Sequence, residues 1–468
     1  MSTTMCATPP STPQPSSADL HWPAPGAAAV QAARERIASS AFRECAGGRV
    51  GLELELHLVD LVDPGRRPGW DRVAGLVAQV AAAGPLPGGS RVTTEPGGQV
   101  ELSGPPYDDV TAAVRALTLD EARLREVAAP LGLGLASLGA DPARAPRRLS
   151  PAGRYAAMEQ HFERFSVGGS GLAMMTSTAA LQVNLDAGPA SGWGDRLELV
   201  RALVPVLVAV SSTSPWLGGR SSGWHSMRQG TWDGIDHGRS GSVGAPERTG
   251  VAPDGRGDPA AQWADYALRG PVMLVAAEPP GPSGPTGDVR AVRERVTLAD
   301  WLSGEVDLGR PATAADVDYH LSTLFPPVRP RGYLEVRSLD ALPARWWPAV
   351  AALTATLVDD AVAADAARAA TEPVAGEWEA AARLGPGDAS VHRAALRCLE
   401  VAADRAPAPF ADDVGELAQR WRDGHTLSGA LRDRIERQGP VAVLLDEART
   451  TPAPVPGATT TPAQGGQR

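Results

Sequence analysis

The chain contains no lysine, so all 44 of its Lys-plus-Arg residues are arginines. That absence excludes a Walker-type phosphate loop, which ends in Gly-Lys-Ser/Thr, and enzymes that work through an amine nucleophile, Schiff-base enzymes included. A protein of this composition that handles ATP must use arginine, metal ions and backbone amides. A GC-rich genome would give the same bias toward arginine, alanine, glycine and proline, and the chemical restriction holds whatever its origin.

Cysteine is nearly as scarce. Cys6, Cys45 and Cys398 are too few and too scattered for a disulfide framework or a zinc site, which suits a reducing cytoplasm. Long apolar runs are missing too. The longest, residues 202–210, is interrupted by Pro205 and falls well short of the roughly 18 residues of a membrane span. The first 25 residues lack the basic start and apolar core of a signal peptide. A formal net charge of -10 leaves no basic footprint for nucleic acid or an anionic membrane. These absences predict a cytoplasmic protein with small-molecule partners, no nucleic acid and no membrane; the oligomeric state is not written in the sequence. A length of 468 residues allows a large domain with a deep cavity.

Residues 1–25 and 449–468 are rich in Pro, Thr, Ser and Gly and are expected to be disordered tails around one catalytic domain over 26–448. Two further loose stretches, 240–261 and 278–288, read as surface loops. Helical periodicity is clearest over 27–45, 70–83, 110–128 and 195–211, and the part from about 344 onward reads as Ala-rich amphipathic helices. Residues 49–59, 100–103, 181–186 and 333–338 alternate apolar and polar side chains, the period of a half-buried strand.

The polar positions of those strands form a pattern. In Gly51-Leu52-Glu53-Leu54-Glu55-Leu56-His57, the two glutamates share one side and the leucines the other. Gln99 and Glu101 flank Val100, Gln182 and Asn184 flank Val183, and Glu335 and Arg337 flank Val336. One such pair is ordinary for a solvent-facing strand. Four pairs, carboxylate or amide almost throughout, are not, because exposed strands favour Thr, Ser, Lys and Arg. Side by side in one sheet, Glu53, Glu55, Glu101 and Glu335 would repel. Magnesium removes that repulsion and completes its octahedron with water and substrate phosphates, which points to MgATP. A zinc hydrolase would need more histidine than His57 and His320 near these strands, and His57 reads as structural.

Two loops add to the pattern. Thr93-Thr94-Glu95-Pro96-Gly97-Gly98 turns into the strand at Val100 with backbone amides able to approach a ligand. Residues 320–332 bring Arg329 and Arg331 toward Arg337, and arginines suit phosphate or carboxylate. Residues 224–239, with Arg228 and Trp232, read as a Gly-rich loop forming a pocket wall, or equally a structured surface loop.

The segments Gly51–Asp60, Thr94–Gly104, Met174–Asp186 and Tyr333–Asp340 resemble the plant-type glutamate-cysteine ligase family, most of all its actinobacterial, ergothioneine-pathway branch. The motifs run in the family's order from about Arg49 to Pro343. The resemblance implies an α+β fold of the glutamine synthetase and glutamate-cysteine ligase type, with a curved, mainly antiparallel sheet forming a funnel and helices outside. It implies ATP and Mg2+ as cofactors, L-glutamate and L-cysteine as substrates, and γ-glutamylcysteine as product. Glu53, Glu55, Glu101 and Glu335 match metal-binding carboxylates, with Glu53 and Arg337 central to catalysis. Arg337 matches an arginine at the transferred phosphoryl group, and Arg329 and Arg331 join it at the nucleotide. Arg228, Trp232 and Met175 match positions that hold glutamate; Gln182 sits where relatives carry Gln or His near a metal, and Asn184 lies beside it on the same face. Ser338 departs from an aromatic residue of relatives, and the loop 140–148 aligns poorly, so the cysteine pocket is not assigned. Another carboxylate-amine ligase acting on glutamate with a different amine is the alternative.

Overall fold

Strands that alternate leucine or valine with polar residues have one face to bury and one to present, and four such strands, with three shorter ones, make the seven-stranded central sheet. The computed structural model describes residues 22–243, 257–281, 284 and 287–451. The strands are β1 (Val50–Asp60), β2 (Arg91–Thr94), β3 (Val100–Ser103), β4 (Leu133–Ala136), β5 (Ala180–Asp186), β6 (Val328–Pro330) and β7 (Tyr333–Asp340). All pairs are antiparallel, in the order β6-β7-β5-β1-β3-β2, with β4 joined to the far end of β1. The sheet is open, with β6 and β2 at its ends.

Register decides which residues share a face. Leu54 pairs with Leu102 and Leu181, Leu52 with Val183, and Val183 with Val336. All are buried in one large apolar core. Helices Val110–Ala128, Trp193–Ser211 and Trp347–Asp359 pack on this side. Helices Ala389–Arg405 and Ala408–Arg422 pack against them in turn, so the described chain beyond Trp347 is helical, as its alanine-rich periodicity predicts. The whole is an α+β fold with a mainly antiparallel sheet and its helical mass behind one face.

Some boundaries differ from the sequence reading. The first helix is Ala27–Ala41 and stops short of residue 45, because Phe42 is extended, bridges to Gly332 and stacks on Trp193 at 5.2 Å. A long-range contact here overrides local periodicity. Strands β2, β4 and β6, of three or four residues, are too short to show an alternation. Short hairpins join Trp216–Leu217 to Arg220–Ser221 and Leu274–Ala276 to Val289–Ala291, the second enclosing most of the loose stretch 278–288. Most of the 240–261 stretch and of both expected tails lies outside the described residues. Within the described part, the Trp22 indole donates to Ala312 O at 3.0 Å. Among the described residues no helix is long and apolar enough to cross a membrane.

Candidate active site

The polar face of the sheet carries two neighbouring groups of charge. Glu53 stands opposite Gln182 and Ser103, Glu55 opposite Glu101, Asn184 opposite Glu335, and Glu335 opposite Arg329. Directly paired residues point the same way. The expected residues Glu53, Glu55, Glu101, Gln182, Asn184, Glu335 and Arg329 therefore share the side away from the leucine core.

The β1–β3 half is acidic. Asn184 Nδ2 donates to Glu53 Oε1 at 3.1 Å, Gln182 Nε2 to Glu55 Oε1 at 3.4 Å and the Ala180 amide to Glu55 Oε2 at 2.9 Å. The Thr93 hydroxyl donates to Glu101. The donors of these bonds are a hydroxyl and amides and carry no positive charge. Burial, with Glu101 and Glu335 nearby, pushes the Glu53 carboxyl up to about 8. Glu55 is also raised, mainly by burial, although Arg228 and Arg337 pull the other way. Glu95 is raised well above the carboxylate range by burial and by Glu55 and Glu101. Each is half-buried.

The β6–β7 half is the reverse. Arg329 holds Glu335 in a two-point ion pair, with Nη2 3.0 Å from Oε1 and Nε on Oε2. Arg337 Nη1 lies 3.3 Å from the same Oε1 and donates to Gln182 Oε1 at 2.9 Å, which ties the halves together. Burial alone would raise Glu335, but Arg329 and Arg337 outweigh it and hold the carboxyl at about 2. Arg331, in the turn between β6 and β7, is mostly exposed and 3.6 Å from Glu335.

Arg228 and Trp232 lie on a helix, not in the Gly-rich loop read from the sequence. Met227–Asp233 is capped by Ser226, and a further turn, His237–Ser240, is capped by Asp236. Both caps are residue types that favour helix starts. Arg228 Nη2 donates to Arg337 O at 2.8 Å, and its guanidinium sits 5.9 Å from the Trp232 ring centre. Its Nε and Nη1 are buried without partners. Behind it, buried Asp340 accepts from Ser214 Oγ at 2.6 Å, Ser226 Oγ at 2.8 Å and the Thr213 amide at 2.9 Å. Ser214 Oγ in turn accepts from the Arg228 amide at 3.0 Å. A Cβ on Gly139 would stand 2.3 Å from Asp340 Oδ2, so only glycine permits this approach. Met175, Trp232 and Phe325 join one apolar cluster, Trp232 and Phe325 edge to face at 5.1 Å. A small cavity lies between Gln229, Trp232, Phe325, Pro326, Arg337 and Ser338.

Sequence reasoning passed over several residues near the acidic half. Glu95 sits on the turn joining β2 to β3, outside any period-two pattern, and was noticed only for its backbone. Tyr155 is raised by burial and by Glu95, and Arg154 lies 5.3 Å over the Tyr319 ring with its charge felt by Glu95. Nothing local marks Arg154 or Tyr155, which begin an ordinary helix, Gly153–Arg164. His57 and His320 are buried and bonded to Leu138 O and Ala267 O; burial lowers them to about 4 and about 3, so both are neutral.

The acidic half suits a hard cation. Its donors are oxygens, and buried Asn184 Oδ1 and Gln99 Oε1 have no partner. Among the described residues no three His, Cys, Asp or Glu form a ready-made metal cage. Magnesium does not require one, since it commonly takes one or two carboxylates and completes its shell with water and phosphate.

The family described as "Glutamate-cysteine ligase family 2(GCS2)" matches residues 49–447. The chain is 46% identical over 421 residues to glutamate–cysteine ligase EgtA of Mycolicibacterium smegmatis, covering 90% of this chain and 95% of that one. It is 48% identical over 405 residues to EgtA of Mycobacterium tuberculosis, covering 86% and 90%. The chloroplastic glutamate–cysteine ligase of Medicago truncatula is 31% identical over 55% of this chain and 50% of its own. Among solved structures, glutamate–cysteine ligase of Francisella tularensis in complex with AMP aligns at a TM-score of 0.49 and 14% identity, over 87% of this chain and 89% of that one. A match that runs through nearly every element of the sheet and helices, with the two EgtA relatives covered over 90% and 95% of their length, places this chain in glutamate–cysteine ligase family 2.

Proposed function

We propose that the protein is an ATP-dependent ligase that joins the γ-carboxylate of L-glutamate to the amine of L-cysteine, giving γ-glutamylcysteine, ADP and phosphate. The observation that carries it is one sheet face with two unlike halves: Glu53 and Glu55, with Glu95 on the adjoining turn, whose carboxyls stay raised, and Glu335, held ionised by Arg329 and Arg337. Identity of 46% across 90% of this chain and 95% of EgtA supports the same reading, and the product's place in ergothioneine biosynthesis rests on that likeness alone.

The residues divide the labour as follows. Glu53, Glu55 and Glu101 would hold magnesium, which when bound screens the phosphate charge and aligns donor with acceptor, while Glu335 is already engaged by Arg329 and Arg337. Arg337 presents a fixed positive charge to the transferred phosphoryl group, with Arg329 and Arg331 beside it. Arg228, with its two free N–H donors, and the Trp232–Met175 wall hold glutamate. A γ-carboxylate oxygen attacks the terminal phosphorus of ATP and ADP leaves. The cysteine amine then attacks the acyl carbon of the γ-glutamyl phosphate, the acyl C–O bond breaks, and phosphate departs as the amine sheds a proton. No protein nucleophile takes part, consistent with the absence of lysine.

The test is ADP and phosphate formation by the purified protein with MgATP and glutamate, each of the twenty amino acids being supplied in turn as acceptor. Turnover selective for cysteine, with γ-glutamylcysteine identified by mass, is the expected result. Selectivity for another amine would overturn the product, and silence with every acceptor would overturn the ligase.

A further inference from the structure

We infer that Ser338 is a substrate contact, its hydroxyl delivered by a bulge in β7 into the cavity beside Arg337 to hydrogen-bond the α-carboxylate of an amino-acid substrate. The inference rests on the ligase reading above and assigns a specificity-determining residue within it.

A regular strand sends consecutive side chains to opposite faces, so Arg337 and Ser338 should not both reach one cavity. They do. Val336 pairs with Val183 and Leu339 with Leu181, so two residues of β7, Arg337 and Ser338, stand against the single Gln182 of β5. Such an extra residue bends the strand and re-aims a side chain. Arg337 and Ser338 both line the cavity with Trp232 and Phe325.

The cavity lacks a polar partner for what it presents. Ser338 is 2% exposed and its Oγ has no hydrogen-bond partner. Buried hydroxyls are nearly always bonded, so one without a partner on a residue that lines a cavity marks a place for a ligand atom. Other polar side chains of the wall are engaged: Ser240 Oγ donates to Asp236 O at 3.1 Å, and Gln229 Nε2 to Asp233 Oδ1 at 3.2 Å. Trp232 of the wall has an unpartnered Nε1–H, and Arg228, outside the wall with its guanidinium 5.9 Å from the Trp232 ring centre, has unpartnered Nε and Nη1. A hydroxyl that can donate, an indole N–H and a guanidinium together select an anion, and a planar carboxylate fits a guanidinium best.

Both amino-acid substrates carry an α-carboxylate, and the kinetics of Ser338→Ala separate them. The expected result is a rise of about tenfold in the KM of one amino acid, the size of a lost hydrogen bond to a charged group. The KM for MgATP, kcat and the melting temperature should stay within about twofold or a few degrees of wild type. If glutamate is the ligand, the penalty vanishes when 4-aminobutyrate, which lacks the α-carboxylate, replaces it; if cysteine, it vanishes with cysteamine. Ser338→Cys, which keeps the volume and loses the strong donor, should reproduce the alanine result and serves if the alanine variant does not fold. Unchanged KM values for both amino acids, or an equal rise in all three substrates, would overturn the assignment. Wild-type protein that forms no glutamate-dependent ADP would instead defeat the ligase reading, and the wild-type control makes the two failures distinct.

Discussion

The two halves of the polar sheet face differ in how their charge is balanced. Around Glu335 the protein supplies its own counter-charge: Arg329 and Arg337 keep that carboxylate ionised down to about pH 2. One strand pair away, Glu53 is pushed up to about 8, with burial and neighbouring carboxylates both acting against its charge. The first half is a completed ion-pair network, so its contribution is to architecture and to fixed positive potential. The second has no such pairing of its own, and in the proposed reading a cation completes it. The same residue type, glutamate on alternate strand positions, thus serves two ends according to what the neighbouring strand brings.

The largest expected effect comes from exchanging the roles. Glu53→Gln should lower kcat more than about 100-fold, as the loss of a preorganised charge does. It should leave the unfolding midpoint of the unligated protein unchanged or higher, since it relieves repulsion. Glu335→Gln strands buried Arg329 and Arg337 and should destabilise by about 3 kcal/mol. Urea unfolding beside steady-state kinetics reads both. Equal stability losses in the two variants would erase the distinction between the halves.

Arg337→Lys keeps the charge but loses the fork that spans Glu335 and Gln182. A fall in kcat of about 100-fold is expected, with the KM of glutamate within a few-fold of wild type. Asp340→Asn tests the support under the arginine half. It weakens the acceptor shared by Ser214, Ser226 and Thr213, so Arg228 loses its fixed position. The KM of glutamate should rise by about tenfold with about 2 kcal/mol of stability lost.

The smallest effect concerns pH and lies outside both halves. His161 and His320 are buried and neutral, lowered mainly by burial to about 4 and about 3, with Arg239 adding to both. The unfolded chain takes protons at these rings below its ordinary value of about 6.5, while the folded chain resists until the lower value. Stability therefore falls as pH drops from 6.5 toward 4. His320→Gln should flatten that slope, measured as unfolding midpoint against pH; an unaltered slope would show that the acid sensitivity arises elsewhere.

Much of the site was legible because it lies on strands. A period of two sorts residues onto faces, so Glu53, Glu55, Glu101, Gln182, Asn184 and Glu335 could be grouped from the sequence before any register was known. What sequence could not supply was pairing. Nothing in the order of residues says that Arg329 stands against Glu335, or that β7 gains a residue against β5 at Ser338. Glu95 escaped because a turn has no period. Asp340 follows a recognisable motif, yet its meaning comes from Ser214 and Ser226, more than a hundred residues away. The helix Met227–Asp233 was readable in principle from its Ser226 cap, but its glycines argued for a loop.

The central claim, that the acidic half is completed by cations and the arginine half is not, is tested most directly by counting bound Mn2+. Electron paramagnetic resonance of Mn2+ with a non-hydrolysable ATP analogue would be compared among wild type, Glu53→Gln and Arg329→Gln. The account predicts bound Mn2+ in wild type, a loss in Glu53→Gln with the fold intact, and retention in Arg329→Gln at concentrations where the variant is folded. Wild-type binding undiminished in Glu53→Gln would contradict it.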